Sequence, residues 1–158
     1  MPNHTLLLGL GNPLLGDDGV GWKVVEKVKG YAPDHTEFDF LSVGGLALME
    51  RLIGYDRAIL VDSIQTGSPV GTVVCLPLED LPNPSAGHTT SAHDTSLQTA
   101  LKLGASLGVK LPPTVFVIGI QAQKVYDFSE ELTPPVAGAI PEAVQLILNI
   151  LHSKEAQP

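Results

Sequence analysis

Leu6 to Gly21 reads LLLGLGNPLLGDDGVG, and this stretch decides the fold. Leu6-Leu7-Leu8 is an uncharged apolar run, the pattern of a strand covered on both faces. Gly9 and Gly11 follow, then Asn12-Pro13, so the strand ends in a turn where the backbone passes close to something. Beyond Asp17-Asp18, the residues Val20, Val24, Val25 and Val28 recur at helical spacing. Acid at the start, Lys27 and Lys29 toward the end and Gly30 as a stop agree with a helix there. A strand therefore runs into a glycine-bent loop, with carboxylates where the loop becomes a helix. One such carboxylate is accounted for as a cap. Two in succession point roughly 100° apart around the axis, so one can cap while the other faces a site. Position alone leaves open which does which.

Working outward, Thr36–Val43 (TEFDFLSV) partly alternates and reads as a second strand. Its spacing of about 30 residues from the first is that of a right-handed βαβ unit. Gly44-Gly45 opens a short helix with Leu46, Met49, Leu52 and Ile53 apolar, and Gly54 after it. Arg57–Asp62 (RAILVD) is a third strand, again doubly buried by pattern and so at the sheet centre. Only Ser63–Val70 separates it from Gly71–Leu76 (GTVVCL), too short for a crossover helix, which predicts a fourth strand antiparallel to the third. Pro77–Thr90 is the longest irregular stretch, of a length that is usually functional or mobile. Thr95–Gly108 places Leu97, Leu101, Gly104 and Leu107 at helical spacing, and Thr114–Ile120 (TVFVIGI) reads as the fifth strand. After a polar loop over Gln121–Glu131, a last helix sets Val136, Ile140, Val144, Ile147, Leu148 and Leu151 on one side. Pro141 should start or kink its main body. Strands alternating with helices predict an α/β fold, a three-layer α/β/α sandwich. A single domain over residues 1–158 is expected, with 153–158 a frayed tail.

The net charge of −8, with nothing basic clustered, speaks against nucleic acid or an anionic membrane as partner. One cysteine, Cys75, excludes an internal disulfide and a CxxC metal site, and its apolar surroundings predict a buried, inert thiol. No signal-type leader is read, and no apolar run approaches the length of a membrane span, so a cytoplasmic chain is expected.

In open α/β sheets ligands bind beyond the carboxyl ends of the strands, where the strand order reverses. Asp17 and Asp18 follow the first strand and Asp62 ends the third. If the first two crossovers lie on opposite faces, these strands are neighbours and the acids flank one crevice. The plainer alternative for Asp62 is an Asx-type turn with Ser63 or Ile64. His93, in Ser91-Ala92-His93-Asp94, is a third candidate, with His88 nearby; an exposed or capping histidine is the plainer reading there. His4, His35 and His152 look incidental. Two carboxylates and an imidazole make a metal site with open positions, suited to nickel, zinc or iron, or equally a general acid and base. HExxH and Walker A motifs are absent. Gly9-x-Gly11-x-x-Leu14 lacks the third glycine of a dinucleotide fingerprint.

This ordered set of blocks resembles the hydrogenase maturation endopeptidases, which trim the C-terminal extension from the large subunit of nickel–iron hydrogenases. GLGNPLLGDDGVG (Gly9–Gly21) is similar to that family's N-terminal signature and VDSIQTGSPVGT (Val61–Thr72) to its second acidic segment. SAHDTSL (Ser91–Leu97) is similar to its histidine segment and LTP (Leu132–Pro134) to its last block. Carried over by position, the resemblance implies Asp18 rather than Asp17, together with Asp62 and His93, as ligands of nickel supplied by the substrate precursor. It implies Asp18 and Asp62 as the catalytic acids and no organic cofactor. Asn12, Gly44, Gly45 and His88 are carried as candidate substrate contacts, although Leu46 stands where the family usually has a polar residue after the glycines. The partner implied is a hydrogenase large-subunit precursor. The fold implied is a mixed five-stranded sheet with strand four antiparallel, its link from strand three passing over a neighbour rather than forming a hairpin. Cleavage would be of the aspartic type or metal-assisted. Small size and a busy cleft favour a monomer. Two other readings use the same features: a metal-binding maturation chaperone without hydrolytic activity, and a small nucleotide-binding α/β protein. Acid at the helix start argues against phosphate there.

Overall fold

The computed structural model describes residues 4–42, 44–80, 92–123 and 127–153, with the backbone alone over 92–96. Strand β1 (Thr5–Leu10) is buried along its whole length, as a charge-free leucine run requires. It pairs in parallel with β2 (Thr36–Leu41) on one side and β3 (Arg57–Ile64) on the other. The sheet is completed by β4 (Val73–Pro77) and β5 (Thr114–Gln121), in the order β2-β1-β3-β5-β4. β3 and β5 are parallel, and β4 runs antiparallel to β5.

Helices cover both faces. α1 (Val20–Val28) and α5 (Ile140–His152) pack on Leu7, Ile59, Val61, Ile118 and Ile120 through Val20, Val24, Val25, Val28 and Ile147. The other face holds Leu6, Leu8, Leu10, Ala58 and Leu60, covered by Leu48 and Leu52 of α2 (Leu46–Leu52) and Leu97 of α3 (Ala92–Ser106). Each fully buried valine or leucine contributes about 1.5–3 kcal/mol relative to exposure. α1 links β1 to β2 on one face and α2 links β2 to β3 on the other, so strand order reverses between β1 and β3. That is the α/β/α sandwich read from the sequence.

Several details differ. The short connection from β3 to β4, read alone, sets direction but not neighbour: β4 pairs with β5, and the link crosses the end of β5 instead of closing a hairpin, as the family resemblance implies. α2 buries Leu48, Met49 and Leu52, which cluster on one side at about 100° per residue, whereas Leu46 and Ile53 fall to the side of that face and are 55% and 42% exposed. α3 begins at Ala92, three residues before the expected start at Thr95, and ends before Leu107, which stays exposed. The last helix is two, α4 (Pro134–Ala137) and α5, with Gly138-Ala139 between them. Pro141 sits in the first turn of α5, where its missing N–H costs nothing. Ala143, Ile147, Ile150 and Leu151 are the buried side of α5, with Ile140, Val144 and Leu148 only partly covered. Against the sequence expectation, Pro134–His152 is long and apolar enough to cross a membrane by length and composition. Its contacts with α1 and β5 account for that apolarity as a core helix.

Arg57 is the largest fully buried side chain. Its guanidinium donates to Thr5 Oγ1 and to the Ile150 carbonyl, both at 3.1 Å, so a cation sits at the C-terminal end of α5, where the helix dipole favours it. Burial nevertheless pushes its pKa down. Cys75, on β4, is half-buried rather than fully enclosed, and burial pushes its thiol pKa up.

Candidate functional site

Between β1 and α1 the chain makes one turn of 3-10 helix, Gly16–Gly19, which carries both aspartates. Glycines allow that turn to lie on the strand ends. At Gly21 a Cβ would fall 2.2 Å from the Val61 carbonyl oxygen, and at Gly11 (φ 121°) 2.0 Å from the Asp18 carbonyl oxygen. Neither aspartate caps α1, so the capping alternative does not describe them. Asp17, 7% exposed, accepts from the Thr133 backbone N–H (2.7 Å) and the Thr133 hydroxyl (2.8 Å). Asp18 turns the other way. Its Oδ2 accepts the Asn12 N–H at 2.8 Å, and its Oδ1 the Ser63 hydroxyl at 3.3 Å.

Asp62 is 1% exposed and faces Gly119 across the β3–β5 pair. The strand continues to Ile64, so Asp62 does not open an Asx turn; its Oδ1 instead accepts the adjacent Ser63 N–H at 2.8 Å. Alternation sets Asp62 on the sheet face of Ala58 and Leu60, the face covered by α2 and α3. Ser63 thus stands between the two acids, bonded to Asp62 through its N–H and to Asp18 through its hydroxyl. Both acids lie at the point where strand order reverses.

His93 falls in the first turn of α3, four residues before the buried Leu97, and its side chain lies outside the described residues. Among the described residues no three His, Cys, Asp or Glu side chains converge. Asn12 closes the loop, its Oδ1 accepting the Leu14 N–H at 2.9 Å. Gly45 precedes α2, and its carbonyl accepts the Met49 N–H. His88 lies outside the described residues. Ser63 and Thr133 were missed as organisers of this region. Ser63 had a signal in its place beside Asp62; Thr133 had only its place in the LTP block.

Residues 22–150 match the model of a family described as hydrogenase maturation protease. The chain belongs to that family. The protease is 30% identical over 150 residues to the hydrogenase expression/formation protein HupD of Thiocapsa roseopersicina, covering 94% of this chain and 67% of the relative. With HupD of Rhizobium leguminosarum bv. viciae the identity is 31% over 152 residues, 95% and 75% of the two chains. The structure of the hydrogenase maturating endopeptidase HybD from E. coli superposes with a TM-score of 0.79 at 26% identity, over 96% of this chain and 92% of that one. The [NiFe] hydrogenase maturation protease HybD from Thermococcus kodakarensis gives 0.70 at 27% identity, over 96% and 99%. The mixed five-stranded sheet is therefore the fold of these maturation proteases, and the activity class is that of a peptidase.

Proposed function

We propose that this maturation protease removes the C-terminal extension of a nickel-loaded large-subunit precursor of a nickel–iron hydrogenase in the cytoplasm, acting as a monomer. The observation that carries the reading is the approach of Asp18 and Asp62 to a common residue, Ser63, at the switch point of the sheet. Together with His93 they are the proposed ligands of the nickel that the precursor brings. The donor chemistry fits: carboxylate and imidazole suit a divalent ion of this kind, and three protein ligands leave positions for the precursor's own. Each Asp18 oxygen accepts one hydrogen bond and keeps a further lone pair for a metal. Nickel then acts mainly as the sign that the precursor is fully assembled. One of the two carboxylates takes the proton from the water that attacks the scissile carbonyl. Asn12, Gly44, Gly45 and His88 are proposed contacts to the precursor.

Incubating nickel-loaded precursor with Asp18→Ala, Asp62→Ala and His93→Ala variants and weighing the product by mass spectrometry tests the assignment. Loss of the shortened product in each variant is expected; full processing by all three would exclude it. Equal processing of nickel-loaded and nickel-free precursor by the unaltered protease would exclude nickel as the recognition element.

A further inference from the structure

Asp17 is spent on a residue 116 positions away. Both of its oxygens are taken by Thr133, one by the backbone N–H and one by the hydroxyl. Further ties join the same two segments. Gly16 N–H donates to the Ser129 carbonyl at 2.8 Å and Ser129 N–H to the Leu14 carbonyl at 2.9 Å, a short parallel bridge. The Lys23 ammonium donates to the Glu130 carbonyl. Among the described residues the other hydrogen bond from the Gly16–Gly19 turn to a distant segment is Asp18–Ser63, whose 3.3 Å length is long for two oxygens.

We propose that Asp17 is a positioning residue, whose clasp on Thr133 fixes the turn that presents Asp18 and makes the 129–133 segment part of the frame of the active site. The inference rests on the reading of Asp18 as a working acid. It also gives the LTP block a physical role, since Thr133 supplies the two donors and its carbonyl then accepts from Val136 and Ala137 at the start of α4. A carboxylate suits the position because it accepts from both donors at once. Asparagine keeps the bond from the N–H, but its amide nitrogen then meets the hydroxyl, which must turn round and accept.

The test compares Thr133→Val, Thr133→Ser, Asp17→Asn, Asp17→Ala and Asp18→Ala at a temperature where each is folded. Two quantities are read: processing of nickel-loaded precursor, and hydrogen exchange of the Asn12 amide in the protease alone, which reports the Asn12–Asp18 bond. Thr133→Val should slow processing and speed Asn12 exchange, each by about tenfold, the effect of losing one hydrogen bond to a charged group. Thr133→Ser, which retains the hydroxyl, should stay within about twofold in both. Asp17→Asn should fall between, and Asp17→Ala should exceed Thr133→Val. Unchanged Asn12 exchange in Thr133→Val and Asp17→Ala overturns the clasp, as does a serine variant no better than valine. If Thr133→Val does not fold, the serine, asparagine and alanine variants decide by the same two readouts. Wild-type processing by Asp18→Ala would remove the role of Asp18 itself, while Asn12 exchange in the Asp17 and Thr133 variants would still decide whether the clasp holds the turn.

Discussion

Alanine at position 21 would carry its Cβ to 2.2 Å from the Val61 carbonyl oxygen, 2.7 Å from that of Leu10 and 2.9 Å from the Val61 carbonyl carbon. Ordinary contact begins at 3.4 Å, and all three opposing atoms are backbone in the two central strands, so none can rotate aside. The first turn of α1 must lift by about an ångström, loosening Val20, Val24 and Val25 from the core. Overpacking of this kind costs about 1–3 kcal/mol, and the rigid backbone on both sides places Gly21→Ala at the upper end. Alanine's better helix propensity returns about 1 kcal/mol, leaving a net loss of about 2 kcal/mol. For a domain of this size that is a fall of about 4–8 °C in Tm. Gly30→Ala is the internal control: nothing lies within 4 Å of its Cβ position, so its Tm should hold or rise slightly. Thermal unfolding followed by circular dichroism decides. A Gly21→Ala protein melting within about 1 °C of the unaltered chain would refute the close-approach argument. The same lift displaces Asp18, so processing of precursor should fall even well below the Tm.

At Gly119→Ala the three nearest atoms all belong to the side chain of Ile64, which can repack, so its Tm should fall less than that of Gly21→Ala. Arg57→Ala removes the buried guanidinium, leaves a cavity and takes one of two donors from the Ile150 carbonyl, which keeps the Ser153 N–H; urea unfolding should show a loss of about 3–5 kcal/mol, with Arg57→Met, which keeps the volume, losing at least 1 kcal/mol less. Equal losses would mean that the hydrogen bonds, not packing, dominate at that position. The raised pKa of Cys75 leaves less thiolate at any given pH, so the pH profile of iodoacetamide labelling should lie above that of a free cysteine and return to it in urea. A native profile at or below the free-thiol position would contradict burial as the controlling cause.

The doubly buried strands were legible because a charge-free run of leucine, isoleucine and valine has no solvated face to offer; β1 and β3 followed directly. The placing of both acids at the switch point followed from them, since β1 and β3 become neighbours once the crossovers take opposite faces. The division of labour between Asp17 and Asp18 was not legible. It is fixed by Thr133, and nothing local distinguishes two adjacent carboxylates whose partners lie elsewhere in the chain. The family resemblance named Asp18, and the hydrogen bonds now give a physical reason why Asp17 is otherwise engaged. The neighbour of β4 followed from the family resemblance and not from the link itself: a short link dictates orientation, while pairing depends on a strand not yet reached. On α2 the spacing picked out Leu46 and Ile53, which are exposed, and left out Leu48, which is fully buried; in so short a helix two turns do not define the face.

β5 lies between β3 and β4 although it follows both in the chain. While the polypeptide is being made, Val73–Pro77 therefore has no native neighbour until residues 78–113 have been added and Thr114–Gln121 has emerged. The fast option in the meantime is a hairpin with β3, which the short connection favours entropically and the finished sheet forbids. Growth of this protein is thus a race between a quick wrong partner and a slow right one. A nascent chain stopped before Gln121 should expose two unsatisfied strand edges, where released full-length chain exposes none between β3 and β4.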